Sequence, residues 1–99
     1  MTLPIRITKR AAREIERAAQ WWAVNRTAAP GAVRLDLKAT FDILRLQPSV
    51  GTKVQEARFP GTRRIHVDRI QYWVYFRVRQ SQIEILTIWH SNRGRAPVV

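Results

Sequence analysis

The sequence predicts a two-layer α+β domain in which an antiparallel β-sheet packs on an αα-hairpin, in the order β-α-α-β-β-β. Three observations predict it. Apolar residues recur at steps of three and four in two consecutive stretches between Lys9 and Leu46, the spacing of helices with one buried face. β-branched and aromatic residues alternate from Tyr72 to His90, the spacing of paired strands. Breakers separate these stretches at Pro30, Pro48, Gly51, Pro60 and Gly61.

The elements follow in order. Residues 4–8 form a short strand, with Ile5 and Ile7 on one side and Arg6 on the other, expected at a sheet edge. Thr8 is a good N-cap for a helix over 9–25. Ala12, Ile15, Ala19 and Trp22 share its inner face; Arg13, Glu16, Arg17 and Gln20 take the outer one. A break over 25–29 leads to Pro30, which suits the first turn of a second helix over 30–46. Val33, Leu37, Phe41 and Leu44 form its main stripe, and Leu35, Ile43 and Leu46 widen the expected buried arc. Gln47-Pro48 ends it.

Residues 49–62 read as a loop, and strands follow over 63–67, 71–79 and 82–90. Asp68-Arg69 turns the chain between the first two. Gln80-Ser81, as a two-residue loop, sets Arg77 opposite Glu84, Phe76 opposite Ile85 and Trp73 opposite Ile88. That loop lacks the Gly or Asn of a favoured tight turn, which leaves a longer loop open. Ile15, Trp22, Leu37, Phe41, Leu44, Val74, Phe76 and Ile85 are the expected core. The other hairpin face would carry Trp73, Tyr75, Leu86, Ile88 and His90, with Arg77 and Glu84 further along. A strand pair apolar on both sides needs cover on both. The helices cover one, so a partner is expected on the second. The chain is one domain over 1–99, with a loose basic tail from about residue 91.

Charge is the strongest compositional signal. Eighteen Lys and Arg stand against 7 Asp and Glu, a net charge of +11. All the basic residues except Lys9, Lys38 and Lys53 are arginine, whose planar fork fits carboxylates and phosphates. A polyanionic partner is implied, either nucleic acid or an acidic protein, although a plain solvated basic surface accounts for the same charge. Cysteine is absent, which excludes a disulfide framework and a cysteine-rich zinc site. His66, His90 and the scattered carboxylates show no metal-ligand spacing, so no metal or other cofactor is expected. The first residues carry no apolar run of signal-peptide length, and no stretch approaches the roughly 18 apolar residues of a membrane helix, so a cytoplasmic protein with no membrane partner is expected.

The segments QPSVGTKV, RRIHV, QYWVYFRV and IEILTIWHSNRG, in this order of elements, resemble toxins of the RelE/ParE superfamily of type II toxin–antitoxin modules. The resemblance covers nearly the whole chain. It implies a small basic toxin neutralised by a cognate antitoxin, here expected to be an acidic, partly disordered segment that orders on binding. It also implies one of two activities. RelE-like members cut mRNA on the ribosome, and ParE-like members bind DNA gyrase. The tail IWHSNRG, with Ser91 after the histidine, is more similar to the ParE side.

Metal-free RNA cleavage needs a base for the 2′-hydroxyl, an acid for the leaving oxygen and positive charge around the phosphorane. The resemblance assigns those roles, if the chain is a nuclease, to His90 with Arg63 or Arg64. Lys53, Glu56 and Arg58 in the loop are weaker candidates. Some nuclease members carry tyrosine after the histidine; here that position is Ser91, and no tyrosine lies beyond Tyr75. Target or antitoxin contacts are expected at Trp73, Tyr75, Arg77, Leu86, Ile88, Arg93 and Arg95. Each has a plainer reading: His90 as a strand end that binds the tail, Arg93 and Arg95 as solubilising charge. Gyrase poison and ribosome-dependent mRNA endoribonuclease both stay open, with the poison favoured.

Overall fold

The computed structural model describes residues 2–99. Seven elements follow in order: β1 (Ile5–Ile7), α1 (Lys9–Asn25), α2 (Ala32–Leu46), β2 (Thr52–Lys53), β3 (Arg63–Val67), β4 (Tyr72–Arg79) and β5 (Gln82–His90). The strands form one sheet in the order β1-β5-β4-β3-β2. Consecutive strands from β2 to β5 are antiparallel, while β1 runs parallel to β5 at the edge. The helical hairpin covers one face, and the architecture is the expected two-layer α+β domain. The two-residue strand β2, inside the segment expected as loop, pairs Lys53 with Arg63.

Local chemistry sets the helix ends. Thr8 caps α1: its Oγ1 accepts from the Ala11 N–H at 3.1 Å. Pro30 lies just outside α2, which starts at Ala32 after Gly31. The buried stripe of α1 is Ala11, Ile15 and Ala18, rotated about one residue from the expected one; Ala12 is exposed, and Trp22 is half-buried. On α2, Val33, Leu37 and Leu44 are buried as expected and Phe41 is half-buried. Leu35, Ile43 and Leu46 are exposed, Leu35 at 64%. The expected broad buried arc is therefore narrower, and α2 presents a second apolar line to the outside.

Gln80-Ser81 is a two-residue turn, since Arg79 pairs with Gln82. Both residues take positive φ, 53° and 61°, as a type I′ turn demands even without Gly or Asn. The register then runs as expected through Arg77–Glu84 and Phe76–Ile85. It shifts next: Tyr75 pairs with Thr87, which leaves Leu86 as the extra residue of a β-bulge. Trp73 consequently faces Trp89, not Ile88.

The bulge inverts the parity of the rest of β5. Ile88, expected on the second face, is 3% exposed in the helix-side core with Val74, Phe76 and Ile85. Trp89 takes the second face in its place, with Trp73, Tyr75 and Leu86. Thr87 is drawn to α1, where its Oγ1 donates to Glu14 Oε1 at 2.5 Å. The same carboxylate oxygen accepts the Ile88 N–H at 3.3 Å.

The second face also has its own cover. Val54, Ala57 and Phe59 from the 54–59 loop pack on Tyr75 and Leu86, together with Val99. The tail is docked rather than loose. Pro97 and Val99 are buried, the Arg58 N–H donates to the Val99 carbonyl at 2.5 Å, and Arg10 Nη1 donates to the Val98 carbonyl at 2.7 Å. The chain thus covers much of the apolar surface that was expected to need a partner.

Candidate functional site

Beyond the covered part of the second face lies an open basin of about 310 Å³ at the ends of β3, β4 and β5. Arg64 enters it from β3, Trp73 and Tyr75 from β4 and Trp89 from β5; Arg93 and Arg95 close it from the tail, and His90 borders it at the strand end. Strand alternation selects these residues. Arg64 pairs with Tyr75 and His66 with Trp73, so all four point away from the helices. Arg63 pairs with Phe76 and points the other way, where its Nη1 donates to the Gly51 carbonyl at 3.2 Å. Of the two arginines expected around a nuclease phosphate, Arg64 lines the basin and Arg63 does not.

The aromatic walls hold the arginines. The guanidinium of Arg64 lies 3.9 Å from the Trp73 ring centroid, and that of Arg93 lies 3.9 Å from the Trp89 ring centroid. Arg64 Nη1 donates to Tyr75 Oη at 3.3 Å. The Trp89 Nε1–H donates to the Arg95 carbonyl at 2.8 Å, which ties the tail backbone to β5. Tyr75 itself is 2% exposed and forms the floor.

His90, expected on the second face, is the cross-strand partner of Tyr72 and turns with Ile88 to the helix side of the sheet, because the bulge shifts its parity too. It is half-buried there beside Ala18, Trp21 and Trp22, and its ring meets Tyr72 edge-on at 5.0 Å. Its Nδ1 accepts the Asn92 N–H at 3.1 Å, so in the neutral ring the proton sits on Nε2. Burial raises the Tyr72 pKa above its ordinary value; Arg93 opposes that shift and Glu14 adds to it. Ser91 Oγ donates to the Gln71 carbonyl at 3.0 Å, so the residue after the histidine is spent on closing the β3–β4 turn. His66 is held apart, with Nδ1 2.6 Å from Asp68 Oδ1 and its ring against Trp73.

The other expected contact residues scatter. Arg77 leaves the basin for a pair with Glu84 and lies over the Phe59 ring at 3.9 Å. Leu86 is buried beneath the loop and Val99, and Ile88 is in the opposite core. Trp89, which sequence reasoning passed over, is a wall of the basin; only knowledge of the bulge would have moved it there. Lys53, Glu56 and Arg58 do not line the basin. Among the described residues no group of histidines and carboxylates could hold a metal ion, and no helix is long and apolar enough to cross a membrane.

A second concavity lies on the other side of the molecule, an apolar groove of about 470 Å³ between β1 and α2. Ile5, Ile7, Leu37 and Phe41 line it, with Arg34, Lys38 and Arg45 on its rim beside Asp42. β1 is the last strand of the sheet there.

The model of one family, the ParE toxin of the type II toxin–antitoxin system parDE, matches residues 5–94. The chain belongs to the ParE toxin family. It is therefore the toxin of a type II module, whose other component is an antitoxin. Among solved structures it is similar to one described as the chromosomal ParDE TA system from P. aeruginosa, with a TM-score of 0.71 and 23% identity over 90% of this chain and 96% of that one. At that identity the likeness concerns the fold. A search of curated proteins returns no match. Family and fold agree with the ParE-like side of the resemblance read from IWHSNRG.

Proposed function

We propose that this ParE-family toxin stops growth by binding DNA gyrase as a stoichiometric poison, in the cytoplasm, and that it cuts no RNA. The observation that carries the choice is the chemistry at the end of β5. Cleavage needs two proton-moving groups. His90 borders the basin with its ring turned to Tyr72, while Ser91, where a nuclease could carry tyrosine, is committed to Gln71. Of the two phenols, Tyr75 is buried under Arg64, and Tyr72, against the His90 ring, does not line the basin. The alternative, a ribosome-dependent endoribonuclease, draws its support from Arg64 and His90 lining one basin.

The antitoxin's seat, in this reading, is the groove between β1 and α2. It combines exposed apolar side chains with a basic rim, which suits an acidic amphipathic segment that orders on binding. The face of Trp73 and Arg93 is then left for the target. Induction of the toxin tests the choice: DNA-damage signalling with intact transcripts is expected. Cleavage of transcripts within minutes, abolished by His90→Gln, would replace this reading with the nuclease.

A further inference from the structure

The basin holds more free donors than a single contact in a broad protein interface uses. Trp73 and Trp89 are direct cross-strand partners, so the guanidiniums stacked on them, Arg64 and Arg93, belong to one surface. A guanidinium held by its face keeps in-plane N–H donors for a ligand, of which Arg64 spends one on Tyr75. Arg95 joins them at the rim, its backbone fixed by Trp89. Among the described residues none of these three arginines forms an ion pair, whereas Arg6, Arg10, Arg34, Arg69 and Arg77 all do.

We propose that this basin is a phosphodiester-binding site through which the toxin grips the backbone of nucleic acid. An acidic peptide would match the charge, but peptides anchor through apolar side chains. Here the indole faces are covered by guanidiniums, and Tyr75 and Leu86 are buried. Apolar anchorage exists instead in the β1–α2 groove. Covered indoles also offer bases no stacking platform, so the contact is to phosphate and independent of base sequence. The choice of duplex DNA as the source rests on the gyrase reading; the site itself does not.

The test uses the full chain free of antitoxin, titrated in a salt series with a short duplex DNA, a single-stranded RNA of the same length, and poly-glutamate. No gyrase is present, so failure here is separate from failure of the gyrase reading, which supercoiling assays report. Binding to nucleic acid should weaken linearly on logarithmic axes as salt rises, and Arg64→Gln and Arg93→Gln should each lower the slope by about one. Arg17→Gln, on the exposed side of α1, should leave the slope unchanged, and circular dichroism checks that each variant is folded. The tighter of DNA and RNA identifies the source of the phosphodiester. Slopes unchanged in both basin variants, an equal drop in Arg17→Gln, or tighter binding to poly-glutamate than to either nucleic acid would overturn the proposal.

Discussion

Glu84 receives Arg77 head-on across the β4–β5 ladder: Arg77 Nε donates to Glu84 Oε1 at 2.7 Å, with side chains only 12% and 8% exposed. The other carboxylate oxygen pairs with Arg6 of β1. One buried carboxylate thus joins three strands. Removing one partner of a buried pair costs up to about 3–5 kcal/mol, and without Arg77 the buried Glu84 keeps only Arg6, whose side chain is mostly exposed. Arg77→Met alone should therefore lower the melting temperature steeply. Arg77→Met with Glu84→Leu should recover most of the loss, because both charges go together; thermal unfolding of the two variants checks this.

Glu14 is the matching clasp between α1 and the bulge. It accepts from the Thr87 hydroxyl and from the Ile88 N–H, both in buried residues. Glu14→Ala orphans the Ile88 N–H, at about 1–3 kcal/mol, while the Thr87 hydroxyl can still donate to the Ile88 carbonyl at 3.2 Å. Hydrogen exchange at the Ile88 amide should accelerate more than exchange in α2.

The Gln80-Ser81 turn holds two non-glycine residues at positive φ. Left-handed backbone costs an L-residue about 1–2 kcal/mol, and Asn-Gly is the favoured pair for a type I′ turn. Gln80→Asn with Ser81→Gly should raise the unfolding free energy by about 1–2 kcal/mol. Denaturant titration measures it, with an unchanged slope showing that the unfolding transition is otherwise the same.

Tyr72 has a pKa raised by burial. The folded state therefore keeps its phenolic proton to higher pH than the unfolded chain, whose tyrosines ionise near pH 10. Its contribution to stability is complete below that value and is lost as pH rises through the folded pKa. Melting temperature should fall above about pH 10 in the wild type, and less in Tyr72→Phe.

Much of this arrangement was legible in the sequence, and the failures have physical causes. The turn at Gln80-Ser81 and the Arg77–Glu84 pair fixed the hairpin register correctly as far as Phe76–Ile85. Beyond it, the bulge at Leu86 leaves no compositional mark, since Leu86, Thr87 and Ile88 alternate as plausibly with it as without it. That one extra residue moved Ile88 into the core and Trp89 to the basin. Leu35, Ile43 and Leu46 misled because an apolar residue on a helix need not be buried. Docking of Pro97 and Val99 was invisible because two residues carry no period. Arg64, Arg93 and Arg95 are expected from the sequence and the fold brings these three together, whereas the same bulge turns His90 toward the helices.

The groove and the basin lie on different elements, so antitoxin binding and toxicity should separate. Phe41→Glu puts a charge into the apolar groove wall while sparing Arg64 and Arg93. It should weaken antitoxin capture, by 2 kcal/mol or more if Phe41 is one of the few dominant contacts, roughly the threshold of an interface hot spot. Growth arrest should persist in cells that also express the antitoxin. Arg93→Gln should do the reverse.

Poisoning of gyrase and cutting of RNA are separated most directly in two cell-free reactions. The direct measurement is supercoiling of relaxed plasmid by purified gyrase with the toxin titrated in, beside a translating extract in which mRNA integrity is followed. For a gyrase poison, supercoiling should stop at toxin amounts comparable to gyrase and resume on addition of antitoxin, and mRNA should stay intact. Undiminished supercoiling together with ribosome-dependent mRNA cleavage that His90→Gln abolishes would contradict the gyrase reading.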